Sequence, residues 1–234
     1  KNVDMTTIVF FDKACLGHNP NTDHPECPER LDAILEALNT PIFEALKYQK
    51  PPRASLEQLA RIHGYSHIMQ TLEKIEKKGF VVFDSDTFTS PGSYEAALRA
   101  AGSVCAAVDM VMSGDATNAF CAIRPPGHHA ECSSVMGFCL FNNVAIGAAH
   151  ARAIHDLKRI AVVDFDVHHG NGTQEAFWDN PYLFFASVHQ SPLYPGTGSR
   201  SESGVADNIL NVPLFPDSGS QEFREAMDTK IFPA

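Results

Sequence analysis

The chain has 234 residues, 44% of them hydrophobic and 20% charged, with a mean hydropathy of -0.14. This balance excludes a disordered, low-complexity or collagen-like protein and fits a single globular domain over residues 1–234. Lys and Arg number 18 against 28 Asp and Glu, a net charge of -10, so the molecule as a whole repels phosphate backbones and direct nucleic-acid binding is disfavoured.

The six cysteines, Cys15, Cys27, Cys105, Cys121, Cys132 and Cys139, are dispersed and form no C-x-x-C pair. They point to reduced thiols and a cytoplasmic protein rather than to a zinc knuckle or redox couple. Lys1 to Met5 lack a basic segment followed by a long apolar one, and the most apolar helical stretch, around Gly102 to Met112, is interrupted by Asp109. Neither a signal peptide nor a membrane span is expected. Met5 reads as a natural start preceded by four extraneous residues.

In chain order, Thr6 to Phe11 is β-branched and aromatic and predicts a first buried strand. His24-Pro-Glu-Cys-Pro-Glu-Arg30 predicts a turn that opens a helix, because Pro28 is tolerated at a helix start and Leu31, Ile34, Leu35 and Leu38 recur at helical spacing. Helices are expected at Ser66 to Lys78 and from Ser93 to about Met112, the second rich in Ala and Gly and suited to close packing on a sheet. Ala119 to Ile123, Ile160 to Val163 and Leu183 to Val188 are apolar runs without polar alternation, the pattern of parallel strands covered on both faces. Between the first two, Asn142 to His155 is an Ala-rich helix of the right length for a crossover. Asn208 to Val212 predicts a further strand and Gln221 to Ile231 a further helix. The alternation argues for an open, layered α/β/α sheet, in which ligands sit beyond the carboxyl ends of the strands.

The residues that follow the apolar runs therefore matter most. Ala119 to Ile123 ends in Arg124-Pro-Pro-Gly-His-His-Ala130, where two prolines and a glycine stop the strand and leave His128 and His129 at the crevice. Ile160 to Val163 ends in Asp164-Phe-Asp-Val-His-His-Gly-Asn-Gly-Thr173. Side chains of an extended segment alternate, so Asp164, Asp166 and His168 share one edge, a partial site for a divalent metal. One His-His pair is commonly a satisfied loop pair; two of them, each ending a buried strand and one beside Asp-x-Asp, point to a site. His63 and His67 lie four apart, but residue 64 is Gly, so the HExxH pattern is absent and both are expected to be structural. His18, His24, His150 and His155 lack a nearby acidic constellation in sequence, and no G-x-S-x-G elbow, Walker loop or GxGxxG occurs.

Arg124-Pro-Pro-Gly-His-His-Ala130, Gly137-Phe-Cys-Leu-Phe-Asn-Asn143 and Val163-Asp-Phe-Asp-Val-His-His-Gly-Asn-Gly-Thr173 resemble the histone deacetylase superfamily, in its bacterial, class II-like branch with the acetylpolyamine amidohydrolases. The likeness runs from His24-Pro-Glu-Cys-Pro-Glu-Arg-Leu31 through Asp86-Thr and Ser90-Pro-Gly-Ser-Tyr-Glu-Ala-Ala97 to Tyr194-Pro-Gly-Thr-Gly198. It implies the three-layer α/β/α arginase/deacetylase fold with a mainly parallel sheet. By the same resemblance Asp166 and His168 are zinc ligands, with iron(II) as the alternative ion, and His128 and His129 are the paired catalytic histidines, oriented by Asp164 and Asn171. This gives Asp164 a different part from the shared metal edge. A potassium or sodium ion is implied among Asp164, Ser187 and the carbonyls of Asp166, His168 and Val188, and a second among the carbonyls of Phe177, Asn180 and Leu183. Gly137 and Phe138 would line an acyl-lysine tunnel, with Tyr194 opposite and Asp86 at the rim.

The implied activity is zinc-dependent removal of acetyl groups from N-acetyl-lysine in proteins or peptides, or from acetylpolyamines, with no membrane partner and with homo-oligomers admitted. A catalytically silent acyl-lysine binding module is the alternative. An arginase-type ureohydrolase is disfavoured, because Asp166-x-His168 is followed by His169-Gly170 and glycine cannot ligate a second metal. Two departures from the family pattern stand out. Residue 171 is Asn where class I members carry Asp, and the family's third zinc ligand and its oxyanion tyrosine in a Gly-Gly-Tyr segment have no counterpart. The 234 residues are accordingly expected to be the N-terminal portion of a full catalytic domain.

Overall fold

A computed structural model describes residues 6–19 and 24–234, so the expected start at Met5 lies outside the described residues. β1 (Thr7–Phe10) is flanked in parallel by β2 (Lys47–Gln49) and β3 (Asn118–Cys121). A second parallel sheet has the order β4 (Ile160–Asp164), β5 (Leu183–Gln190), β6 (Ile209–Leu214). Parallel pairing needs long crossovers: α1 (Glu29–Leu38) lies between β1 and β2, α2 (Leu56–Leu59), α3 (Tyr65–Lys78) and α4 (Ser93–Ser113) between β2 and β3, α5 (Asn143–His155) between β3 and β4, and α6 (Asn171–Phe177) between β4 and β5, while α7 (Ser220–Ala226) follows β6. The last helix expected from the sequence is α7 plus a π-helical turn, Met227–Ile231. β2, α2 and α6 are too short to carry a periodic signal in the sequence.

The expected single sheet is two three-stranded sheets among the described residues. β3 and β4, the strands that α5 connects, do not pair; each is a sheet edge. A groove of about 760 Å³ runs along them, lined in part by Ala119, Cys121, Val163, Phe165 and Val167. This corrects the reading of those runs as covered on both faces. Of the three runs, β5, the middle strand of its sheet, is buried nearly throughout, whereas Phe120 of β3 and Val163 of β4 are 44% and 39% exposed.

α4 is long and apolar enough to cross a membrane, with a mean hydropathy of 1.3 over its most apolar window. Its small residues have a packing reason. Ala96, Ala97, Ala100, Ala101 and Cys105 are buried, and α4 lies against α5, β3 and the 3₁₀ turn Lys13–Gly17. At Gly102 a Cβ would fall 2.2 Å from the Pro52 carbonyl oxygen, so only glycine admits that approach. α5 starts at Asn142, whose Oδ1 accepts from Ala145 N at 3.1 Å while its Nδ2 donates to Ala130 O at 3.3 Å and Thr173 Oγ1 at 3.1 Å. This cap ties the loop after β3 to α6. His63 is structural, as its context suggested: Nδ1 donates to Glu131 O at 3.0 Å and Nε2 accepts from Asn142 N at 2.9 Å.

The deepest polar feature is an ion pair. Arg124 donates from Nε to Glu26 Oε1 at 2.6 Å and from Nη2 to Glu26 Oε2 at 2.5 Å. Its remaining donors reach Cys15 O at 3.0 Å and His18 O at 2.8 Å. Burial pushes the Glu26 carboxyl up, but hydrogen bonds from His18 and Arg124 outweigh it and hold the group below its ordinary range. Removing one partner leaves a buried uncompensated charge, so Arg124→Met is expected to lose about 3–5 kcal/mol, and Arg124→Met with Glu26→Leu distinctly less. Urea denaturation of the variants checks this. A depressed carboxylate stabilises fully above its unfolded value, about 4.3, so the Glu26 contribution is expected to persist at neutral pH and to fade as pH falls below that value.

Candidate active site

The loops after β3 and β4 meet at the carboxyl ends of the strands. His128 Nδ1 lies 2.8 Å from Asp164 Oδ2, and His129 Nδ1 lies 2.8 Å from Asn171 Oδ1. The two imidazole rings are adjacent, with centroids 4.0 Å apart. Asp164 is the last residue of β4 and Asn171 the first of α6, so one strand-loop-helix unit supplies both ring partners.

The partners differ in charge, and the rings differ accordingly. Burial lowers the pKa of His128, but the Asp164 carboxylate outweighs it and raises the group above its ordinary value. Burial and the neighbouring His128 bring His129 down to about 4, which the neutral Asn171 amide offsets only in part. At neutral pH His129 is a free base beside a more basic ring.

Asp166 and His168 lie beyond the end of β4. Asp166 Oδ1 accepts from His168 N at 2.8 Å and lies 3.1 Å from His168 Nδ1. Asp164 does not share their edge: its Oδ2 faces His128, and its Oδ1 accepts from Asp166 N at 3.1 Å. The alternation of an extended strand fails here because the chain turns directly after Asp164. The side chains of His168 and Asp166 remain 36% and 47% exposed to the cavity. One imidazole and one carboxylate side by side suit a zinc-like ion with coordination positions left open.

The cavity, about 540 Å³, is lined by His128, His129, Asp166 and His168 together with Phe138 and Tyr194. Tyr194 stands edge-on to His129 at 5.1 Å and to His168 at 6.2 Å. Burial and then the carboxylates of Asp84 and Asp86 push its phenol up to about 12, so it stays protonated. Asp86 also lines the cavity; its backbone carbonyl lies 3.0 Å from His24 Nε2. Gly137 has φ +56, and a Cβ there would fall 2.4 Å from His129 Cδ2.

The second ring of the other doublet is absorbed by the fold. His169 is buried, with Nδ1 2.7 Å from Thr197 Oγ1 and Nε2 3.0 Å from Gln174 Oε1. His189 pairs with Ser187 Oγ at 2.9 Å and Gly198 O at 3.0 Å. These contacts hold the loop that carries Tyr194. The β4–β5 register sets Asp164 opposite Ser187, which brings together the two side chains implied for a monovalent cation. The carbonyls of Phe177, Asn180 and Leu183 also converge, but on Asn208 Nδ2, at 2.9, 3.2 and 2.9 Å. That amide donor supplies a positive end to the three carbonyls in this structure.

Of the four histidines without a nearby acidic constellation in sequence, His18, His150 and His155 meet carboxylates through long-range contacts. His18 Nε2 lies 3.2 Å from Glu26 Oε2, and His24 packs edge-on to Phe138 at 4.7 Å. His150 and His155 on α5 both direct Nε2 to Asp109 Oδ1 on α4, each at 2.7 Å. The three ligand atoms lie within 4.8 Å of one another, a spacing that would admit a metal ion. Arg61 Nη1, however, donates to His150 Nδ1 at 2.9 Å. The His150 proton then sits on Nε2 facing Asp109, which is a hydrogen-bonded network rather than a free ligand set. Sequence reasoning also missed Glu131, whose Oε1 accepts from Asn171 Nδ2 at 2.8 Å across 40 residues.

The molecule is thus an α/β protein with a polar, histidine-rich cavity at the carboxyl ends of parallel strands. Residues 24–234 match the histone deacetylase domain family. Histone deacetylase 14, chloroplastic, of Arabidopsis thaliana is 38% identical over 97% of this chain and 58% of its own length. A histone deacetylase-like amidohydrolase of Pseudomonas aeruginosa is 34% identical over 97% of this chain and 66% of its own length. The solved structure of the HDA15 HD domain superposes with a TM-score of 0.91 at 33% identity, covering 98% of this chain and 67% of that one. The chain belongs to the histone deacetylase domain family and spans about three fifths to two thirds of these relatives.

Gly137→Ala is expected to displace the His129 ring and to strain the backbone at positive φ. The measurement is turnover alongside the far-ultraviolet circular dichroism spectrum. Lost turnover with an unchanged spectrum is the expected result.

Proposed function

We propose that this site is an amidohydrolase centre that removes the acetyl group from N-acetyl-lysine side chains or from acetylpolyamines. The observation that carries the reading is the pair of adjacent imidazoles, one held by a carboxylate and one by a neutral amide, beside Asp166 and His168. Family membership supports acetylated substrates and a hydrolytic reaction.

His129 is the proton carrier. Its Nδ1 is bound to Asn171, which leaves Nε2 to take a proton from the attacking water and return it to the departing amine. His128, made more basic by Asp164, holds positive charge where the oxyanion develops. Phe138 and Tyr194 line the cavity around the aliphatic stem of the substrate. Zinc, the usual ion of this family, would be held by Asp166 and His168 and would polarise the acyl carbonyl and acidify a bound water.

A two-metal ureohydrolase is less well supported. His169 is turned into the core with both ring nitrogens bonded, and Gly170 offers no side chain.

The test is acetate release from acetyl-lysine peptides and acetylpolyamines, with metal analysis in parallel. Asp166→Ala and His168→Ala are expected to lose bound zinc. His129→Ala is expected to keep zinc and lose about 10²–10⁴-fold in turnover. Tight binding of acetyl-lysine peptide without acetate release would favour the silent module instead, and full zinc content in both ligand variants would overturn the metal assignment.

A further inference from the structure

We infer that Glu131 is a positioning residue, which fixes the tautomer of His129 by deciding which end of the Asn171 amide faces it. The inference deepens the amidohydrolase reading and rests on it for its kinetic consequences; the tautomer itself does not depend on that reading.

Asn171 Oδ1 lies 2.8 Å from His129 Nδ1. Its Nδ2 faces three acceptors: Glu131 Oε1 at 2.8 Å, Met136 Sδ at 3.4 Å and the His129 carbonyl at 3.5 Å. A reversed amide would press its oxygen against a carboxylate and two other acceptors, so the orientation is determined. With Oδ1 as acceptor, His129 Nδ1 must carry the ring's proton, and a neutral imidazole then has a bare Nε2. Of the three acceptors, only Glu131 is charged, and charge-assisted hydrogen bonds are roughly twice as strong as neutral ones.

Glu131 is itself held. Its N–H donates to Ser134 O at 3.0 Å, and its carbonyl accepts from the buried ring of His63 at 3.0 Å.

The same geometry accounts for the identity of residue 171. An aspartate there would set a second carboxylate about 2.8 Å from Glu131 Oε1, where the Asn171 amide nitrogen now lies. Two like charges at that distance cannot both ionise. Asparagine accepts on one side and donates on the other, so Asn171 and Glu131 form one coupled choice, with the negative charge one hydrogen bond further from His129.

The test is two-bond ¹H–¹⁵N correlation on protein labelled with ¹⁵N-histidine, the His129 signal being identified by its loss in His129→Gln. The wild type and Glu131→Gln are expected to carry the proton on Nδ1, since a glutamine oxygen still accepts from Asn171. Glu131→Lys presents a donor, turns the amide round and is expected to move the proton to Nε2. Its kcat on acetyl-lysine peptide is expected to fall about 10²-fold with KM little changed, while Glu131→Gln stays near wild type. Glu131→Ala, the variant to use should the lysine prevent folding, is expected to show both tautomers. Asn171→Asp is expected to lose activity that Glu131→Gln restores in the double variant.

An unchanged Nδ1 proton in folded Glu131→Lys or Glu131→Ala would overturn the inference, as would strict additivity of Asn171→Asp and Glu131→Gln. A wild type with the expected tautomer and no acetate release would instead sink the amidohydrolase reading and leave the role of Glu131 standing.

Discussion

A guanidinium taken out of water is tolerated only with a full set of acceptors, and Arg124 has one in the Glu26 carboxylate and the carbonyls of Cys15 and His18. Four residues later stands the first histidine of the site. The fork geometry fixes the plane of the side chain, and Pro125, Pro126 and Gly127 leave the loop few alternatives between that plane and His128. The far end of the pair stands at the start of the segment that leads into α1, so one interaction across 98 residues joins the N-terminal turns to the exit of β3. Local propensity could not fix the loop alone, because the residues that satisfy Arg124 all come from the first 26.

From that anchor the site is built by asymmetry. His129 is buried and His128 largely so, which favours neutral imidazole in each case. Asp164 reverses the preference at His128, and Asn171 leaves it in place at His129. Two adjacent rings with opposite tendencies avoid the repulsion of two imidazolium ions 4.0 Å apart, and on the proposed reading they divide electrostatic stabilisation from proton transfer. The division depends on a single atom type at residue 171, which is why the orientation of that amide matters.

Much of this frame is readable in the sequence, for identifiable reasons. β5, α3, α4 and α5 are long enough to carry a recognisable apolar pattern, Pro125 marks where the chain has left β3, and Gly170 marks where the loop after β4 gives way to α6. What escapes is contact between elements distant in sequence. Asp109 reaches His150 only because α4 and α5 lie side by side, and nothing near Glu131 hints that it meets Asn171. The apolar runs of β3 and β4 likewise predict strands correctly but not their neighbours. An edge strand and a central strand can have the same composition, and it is pairing that separates them.

The cavity wall illustrates how tertiary contacts hold a conformation that local preference disfavours. Gly137 and Phe138 both have positive φ, +56° and +70°, and a bulky residue in that region costs on the order of 1–3 kcal/mol. Phe138 is nevertheless held from two sides. Its N–H donates to Thr87 Oγ1 at 3.1 Å, and its ring meets His24 edge-on at 4.7 Å. His24 also packs on Phe88 and bonds to the Asp86 carbonyl, so the segment around Asp86 and the segment before α1 clamp the same side chain. Releasing Phe138 into an ordinary conformation would break these contacts together and draw the ring from the cavity. Because the constraints arrive from segments more than 50 residues apart, the shape of the wall depends on the whole assembly of loops, and the width of the cavity becomes a property of the fold as well as of the lining residues.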